Sequence, residues 1–242
     1  MRRSHSIVGL IFLIFFVMSF LTNILGPIVP DIIQGFQVSL AAAAVLPFAF
    51  FIAYGVMSIP GGFMVERFTE KPVMVASFVS GFAGALAFAL HPSYAVAVVS
   101  LFAMGGGMAV LQVAINPLLR VAGGEENFAF NSAFAQLVFG SASFISPRVY
   151  SYLVENLPKA SEHGSFLQLL ASITPNHLPW LSMYWLFAVS TAAMVVLMLL
   201  VKLPKVQRKS DEQAGSLKMY AALVKRPMVW FYFGCVFAYV GS

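Results

Sequence analysis

The sequence predicts an all-α membrane protein whose main unit is a bundle of six transmembrane helices. Hydrophobic residues make up 60% of the chain, charged residues only 10%, and 24 of its 242 residues are Phe. A soluble domain of this size could not bury so much apolar surface. The apolar residues form blocks of about twenty or more, and a helix of that length crosses a hydrocarbon core of roughly 30 Å. All but two of the 14 Lys and Arg residues fall on one side when the blocks alternate across a bilayer.

Six apolar blocks of spanning length follow one another along the chain. Their predicted limits are Ile7 to Ile28, Leu40 to Met64, Val73 to Leu90, Ala95 to Leu119, Phe128 to Leu153 and Trp180 to Val201. A seventh apolar run begins near Met228 and has only about fifteen residues, too few to cross. We therefore expect a six-helix bundle over residues 1–201, a cytoplasmic linker over 202–227, and the start of a seventh helix over 228–242. This layout predicts the N-terminal part of a longer protein, whose missing C-terminal bundle is its partner.

The positive charges assign the N-terminus to the cytoplasm. Only Arg148 and Lys159 lie on the opposite side, and cytoplasmic loops are the ones that carry an excess of Lys and Arg. We therefore predict a multi-pass protein of the cell (inner) membrane with the lipid bilayer around it. The net charge of +5 then requires no nucleic-acid partner. A cleaved signal peptide is the alternative for the N-terminus, but the first apolar block is too long and no small-x-small site follows.

Uncharged polar residues lie on the faces of several spans. The first span carries Asn23, the fourth carries Gln112 and Asn116 one helical turn apart, and the fifth carries Gln136, each near small residues at spacings of three or four. Small and hydroxyl residues at such spacings commonly form the packing face between membrane helices. Burying an unpaired amide costs about 1–3 kcal/mol, so a water-filled cavity or a hydroxyl-rich ligand explains the amides equally well. Tyr54 in the second span fits either core packing or ligand contact.

Groups for catalysis and metal binding do not come together in the sequence. All nine Asp and Glu residues lie in loops or at span ends, so the chain offers no mid-membrane carboxylate as a proton carrier. The triple glycine Gly105 to Gly107 precedes Met and Ala, unlike a phosphate-binding loop, and predicts a place where a neighbouring backbone comes close. Arg148 either snorkels to the membrane surface or lies at the mouth of a central cavity. We predict no enzyme activity, no cofactor and no metal.

The loop between the second and third spans reads GGFMVERFTEKP, residues 61–72. Gly62, Glu66, Arg67 and Lys71 keep the order of glycine, acid, arginine and base found in the loop signature of the major facilitator superfamily, which this segment resembles. It departs by having Glu in place of the usual Asp. The resemblance implies that these four residues hold helix ends together and act in conformational gating. It also implies that the bundle consists of two inverted three-helix repeats.

A more specific resemblance covers the fourth and fifth spans. LQVAINPLLRVAGGEENFAFNSAFAQLVFG, residues 111–140, is similar to the fucose, glucose and galactose symporter family of that superfamily, and TNILGPIVP and AYGVMSIPGG extend the match to the first two spans. The resemblance implies transport of a small hydrophilic solute, a sugar above all, bound near mid-membrane between two bundles that alternate in access. The predicted solute-binding residues are Asn23, Gln112 and Gln136, with Asn116, Asn131 and Tyr54 behind them.

The departures from this family concern coupling and leave alternatives open. Proton-coupled members resemble one another in having an aspartate in the outer part of the first span and a glutamate in the fourth, where this chain has Gly26 and Gln112. A binding asparagine of the fifth span falls on Leu137, next to Gln136. Either the coupling groups lie in the second bundle, or sodium replaces the proton, or transport is uncoupled. The rival functions are transport of a drug or another small organic solute, and a non-transporting membrane scaffold or sensor.

Overall fold

A computed structural model of the chain describes residues 4–204, 206, 222 and 224–240. The chain forms two compact units, Met1–Val206 and Gln207–Ser242. Most of the linker predicted over 202–227 lies outside the described residues. In the second unit a helix over Pro227–Val240 stands where the sequence predicts the start of a seventh helix.

Within the described residues, six helices are long and apolar enough to cross a membrane, which confirms the six predicted spans. In chain order, the α-helices of the described residues are α1 (His5–Thr22), α2 (Val29–Phe36), α3 (Leu40–Phe68), α4 (Glu70–Leu90), α5 (Tyr94–Gly123), α6 (Phe128–Asn156), α7 (Ser165–Ile173), α8 (Ser182–Leu200) and α9 (Pro227–Val240). Short 3₁₀ helices lie at Glu125–Asn127, Leu157–Glu162 and Pro179–Leu181. The six helices of spanning length are α1, α3, α4, α5, α6 and α8.

The first span is not the single helix predicted from Ile7 to Ile28. α1 ends at Thr22, residues 23–28 form turns, and α2 continues from Val29. Pro27 has no N–H, so it cannot bond the carbonyl of Asn23 as a helical residue would, and Pro30 is placed in the first turn of α2, where proline is tolerated. Asn23 and Gly26 therefore lie in the turns beyond α1 and not within a helix.

Glycines determine how α5 packs between α3 and α4. A Cβ added at Gly105 would collide with the backbone of Phe50 in α3, and one added at Gly107 would lie 2.8 Å from the carbonyl oxygen of Ser77 in α4. Residues two apart on a helix point about 200° apart, so the adjacent glycines serve two neighbours at once. The close backbone approach predicted for the triple glycine is confirmed.

Hydroxyl groups join α1 to α6. Ser19 Oγ donates to the carbonyl of Phe139 at 2.6 Å, and Ser146 Oγ donates to the carbonyl of Phe20 at 2.7 Å. Ser19 and Ser146 are both fully buried. We call these four residues the α1–α6 seam. Its serines are packing residues of the kind that joins membrane helices through hydrogen bonds.

The end of the bundle away from the N-terminus carries a cap formed by α2 and residues 157–181. Phe36 of α2 meets Trp180 edge to face, with ring centroids 5.6 Å apart. Tyr150 of α6 donates a hydrogen bond to the carboxylate of Asp31 in α2. Nothing in the sequence marks this bond, because its partners stand 119 residues apart. The cap thus ties the second part of the broken first span to the fifth and sixth spans.

Candidate functional site

Three of the predicted solute-binding residues meet where α3 packs on α5. Tyr54 Oη donates to Gln112 Oε1, and Asn116 Nδ2 donates to the backbone carbonyl of Gln112 at 3.2 Å. Tyr54 and Gln112 are partly exposed and Asn116 is exposed. We call these three residues the amide cluster. It combines polar groups that can donate and accept hydrogen bonds with an accessible position in a bundle of apolar helices.

The amide cluster depends on the close contact between the two helices. Gly105 admits the backbone of Phe50, and a Cβ added at Gly106 would lie 3.1 Å from Met57 Cγ. Together with Tyr54 and Gln112, these four residues define the α3–α5 seam. Because glycine lets the two backbones approach, the Tyr54 phenol spans the distance to the Gln112 amide.

Asn23 lies just past the end of α1, at the break in the first span. Its Nδ2 donates to both the backbone carbonyl and the Oγ of Ser19, each at 2.9 Å. Both bonds use the donor side of the amide, and they attach Asn23 to the serine that holds α1 against α6. Asn23 is partly exposed, so its side chain both supports the α1–α6 seam and remains accessible.

The two predicted amides of α6 have different surroundings. Gln136 is exposed, as is its neighbour Leu137, which is 66% exposed. Asn131 is only 9% exposed, and its Nδ2 lies against Gly123 at the end of α5. Gln136 thus lies on the surface of the bundle, whereas the packing of Asn131 joins α6 to α5 and does not bring its amide to the cluster of Tyr54 and Gln112.

Lys71 makes the clearest contact among the four predicted gating residues. Its Nζ donates to the carbonyls of Leu199 at 3.0 Å and Val201 at 2.8 Å, at the C-terminal end of α8. Carbonyl groups at a helix C-terminus lack intrahelical partners and carry the negative end of the helix dipole. Lys71 therefore caps α8 from the start of α4.

The other three residues predicted to act in gating lie at the end of α3. Glu66 and Arg67 are exposed and Gly62 is partly buried. The guanidinium carbon of Arg67 is 5.4 Å from the ring centroid of its neighbour Phe68, a cation–π contact. These residues share one end of the bundle with Lys71, at the junction of α3 and α4.

A cavity of about 350 Å³ lies in the cap, away from the amide cluster. Ala160, Ser161, Thr174 and Asn176 are among the residues that line it, and the predicted solute-binding residues are not. In the part of the chain that the structure describes, the buried hydroxyl of Thr174 has no hydrogen-bond partner. Its lining and its place in the cap make it separate from the amide cluster.

Known proteins resemble this chain over nearly all of its length. Residues 11–242 match the model of the Major Facilitator Superfamily. Over 95% of the chain, the identity is 26% to the glucose/galactose transporter of Brucella abortus biovar 1 (strain 9-941) and 25% to the L-fucose-proton symporter of Escherichia coli (strain K12). The chain spans about half the length of these curated relatives, 54% and 55% respectively.

The fold matches the crystal structure of FucP, a Major Facilitator Superfamily transporter in the outward conformation. The TM-score is 0.67 at 24% identity, over 92% of this chain and 56% of that one. At this identity the likeness concerns the fold, and it agrees with six helices of spanning length. The family predicted from the signature loop and from residues 111–140 is confirmed: this multi-pass membrane protein belongs to the Major Facilitator Superfamily.

Proposed function

We propose that the chain supplies one bundle of a transporter that moves a small hydrophilic solute, a sugar above all, by alternating access. The observation that carries this proposal is the amide cluster of Tyr54, Gln112 and Asn116, which is polar, accessible and without a charged member. The relatives named as a glucose/galactose transporter and an L-fucose-proton symporter support the solute class. Transport rather than enzyme catalysis is the activity that these names support.

The chemistry of the cluster favours a neutral solute rich in hydroxyl groups. Amides and phenols exchange hydrogen bonds with hydroxyls, and a site built to bond a hydroxyl loses binding free energy when that hydroxyl is missing. Asn23 and Gln136 are accessible on two other helices, and we assign them to the same solute. Asn131 supports them through packing on Gly123. In this proposal the solute lies between this bundle and the C-terminal bundle.

Gating in this proposal uses the junction of α3 and α4. Gly62, Glu66, Arg67 and Lys71 lie at the end of the bundle where α1 begins, and the excess of Lys and Arg on that side supports a cytoplasmic position in a cell (inner) membrane. The Lys71 contacts with α8 tie this junction to the start of the linker over 202–227. In this proposal, motion of the junction reaches the start of the linker next to Val201.

Coupling to a proton or a sodium ion is the open part of the mechanism. Gln112 has no titratable group, so it cannot carry a proton between the two sides of the membrane as a carboxylate can. Imposing a proton gradient and, separately, a sodium gradient on liposomes with the full-length protein distinguishes the cases. Accumulation against a concentration gradient identifies the ion, and equilibration alone identifies a uniporter.

Replacing Gln112 by Leu tests the proposed function. We expect Gln112→Leu to lower counterflow of one labelled sugar at least about fivefold, because a lost pair of hydrogen bonds is worth about 1–3 kcal/mol. Gln168→Leu is the matched control, since Gln168 lies in α7 and donates to the carbonyl of His163 within the cap. Unchanged counterflow of a panel of sugars in Gln112→Leu, at equal protein level, contradicts the proposal.

A further inference from the structure

The hydrogen bonds around Gln112 determine which of its amide atoms remains available. Its Oε1 accepts from Tyr54 Oη, and its backbone carbonyl accepts from Asn116 Nδ2. Among the described residues, Gln112 Nε2 and Asn116 Oδ1 have no hydrogen-bond partner. The accessible side of Gln112 therefore carries donors, and the side chain one turn further along α5 carries a free acceptor.

Tyr54 is the residue that selects this orientation of the Gln112 amide. A rotated amide would place Nε2 against the phenol oxygen, and the phenol proton would lose the acceptor that it has now. Losing the partner of a buried donor costs about 1–3 kcal/mol, and Tyr54 is partly buried where α3 packs on α5. The orientation with Oε1 toward Tyr54 is thus the one in which both side chains are satisfied.

We propose that Tyr54 is a positioning residue that makes Gln112 a hydrogen-bond donor toward the solute. This deepens the proposed function and rests on it. The solute group at Gln112 must then accept a hydrogen bond, as a hydroxyl, ether or carbonyl oxygen does and an ammonium group does not. Proton-coupled relatives resemble one another in having a carboxylate at this position. An ionised carboxylate would present the opposite polarity, because it only accepts hydrogen bonds.

Asn116 narrows the chemical class of the solute further. Residues four apart on a helix have Cβ atoms about 5–6 Å apart on one face. A solute with two neighbouring oxygens can accept from Gln112 through one of them and donate to Asn116 Oδ1 through the other. Adjacent hydroxyls of a sugar ring meet both requirements, whereas a protonated tertiary amine can only donate and a hydrocarbon can neither donate nor accept.

Deoxy and fluoro analogues of the transported sugar separate donating from accepting hydroxyls. A carbon–fluorine bond keeps a weak acceptor and removes the donor, whereas a deoxy position removes both. At the hydroxyl that faces Gln112, we expect the fluoro sugar to compete for uptake within about threefold of the parent sugar. The deoxy sugar should compete about tenfold more weakly than the parent sugar, which corresponds to the loss of one hydrogen bond of roughly 1.4 kcal/mol.

The test compares these analogues in liposomes that contain the full-length protein, its Tyr54→Phe variant or its Tyr94→Phe variant. Tyr94 is the matched control because its hydroxyl also crosses between α5 and α3, donating to the carbonyl of Ala42 at 2.9 Å. We expect Tyr54→Phe to reduce the difference between fluoro and deoxy sugars to less than about threefold, since its amide can rotate. Tyr94→Phe should keep the difference. Full discrimination in Tyr54→Phe overturns the positioning role.

The side-chain amide of Gln112 offers a second measurement that does not depend on transport. In full-length protein labelled with nitrogen-15 glutamine, Gln112→Leu identifies the NH₂ resonances of Gln112 by their loss. We expect Tyr54→Phe to shift these resonances and Tyr94→Phe to leave them in place. If the resonances shift but the protein takes up no sugar, the result contradicts the proposed function and still supports the orientation of Gln112. Resonances that stay unshifted in Tyr54→Phe overturn the inference whatever the solute is.

Discussion

The α3–α5 seam and the α1–α6 seam stand in equivalent places but are held by different chemistry. In a bundle of two inverted three-helix repeats, each seam joins the first helix of one repeat to the second helix of the other. Across the α3–α5 seam, Gly105 lets the backbone of Phe50 approach directly. Across the α1–α6 seam, the hydroxyls of Ser19 and Ser146 bond carbonyls of the opposite helix. Equivalent topology therefore does not impose equivalent contacts.

The difference shows which seam tolerates change. Every residue other than glycine has a Cβ, which would fill the space that the opposite backbone occupies. Gly105 therefore has no conservative substitute. A hydrogen bond between membrane helices contributes only about 0.6 kcal/mol on average, since the separated helices find other partners. The rigid seam carries the oriented amide of Gln112, and the seam held by hydroxyls lies beside the break in the first span. The contact without a conservative substitute thus lies at the seam that, in our proposal, binds the solute.

The Gly105→Ala substitution should break the α3–α5 seam and produce the largest effect. Its Cβ would collide with the backbone of Phe50, which cannot rotate away as a side chain can. We expect the free energy of unfolding to fall by about 1–3 kcal/mol, measured by denaturant titration in detergent. Gly140→Ala on α6 is the control, because an added Cβ there meets nothing within 4 Å. Equal stability of the two variants would show that the backbones do not touch.

The Ser19→Ala and Ser146→Ala substitutions probe the α1–α6 seam and should have intermediate effects. Each removes one hydroxyl bond to a carbonyl of the opposite helix, so each should lower the free energy of unfolding by about 0.6–1.7 kcal/mol. Ser141→Ala is the control, since Ser141 is exposed and bonds the carbonyl of Val138 in its own helix. A loss larger than that of Gly105→Ala would reverse the ranking of the two seams.

The Lys71→Met substitution lies outside both seams and should have the smallest effect. It removes a charge from the C-terminus of α8, where such charges contribute about 0.3–1 kcal/mol. We expect faster amide hydrogen exchange in the last turn of α8 and unchanged exchange in α3 and α5. Arg67→Met is the control, because Arg67 stacks on its neighbour Phe68. Faster exchange throughout the bundle would mean that Lys71 supports the seams as well.

The spans could be predicted from the sequence because hydropathy over twenty residues is a local property. The close contact at Gly105 was also predictable, since adjacent glycines in an apolar helix have few other uses. The break after Thr22 was not. Gly26 and Pro27 are each tolerated inside membrane helices when nearby groups bond the freed backbone. Hydropathy therefore continues unbroken across residues 23–28, and only the folded chain shows the turns.

The candidate site was predictable only where its geometry is local. Gln112 and Asn116 are four residues apart on one helix, so their common face follows from helical periodicity. The bond from Tyr54 depends on which helix approaches the glycines of α5 and in what register, which the sequence does not specify. Asn131 and Gln136 stand on the same helix and look alike in sequence, yet one packs on Gly123 and the other is exposed. Packing between helices decides such cases.

The glycines at 105–107 also bear on the order in which the chain assembles during synthesis. Gly105 and Gly107 give α5 its close contacts with two other helices at once. The two helices whose backbones it contacts, α3 and α4, emerge from the ribosome earlier. α5 therefore meets both neighbours after they have been synthesised, and its glycines leave room for both backbones.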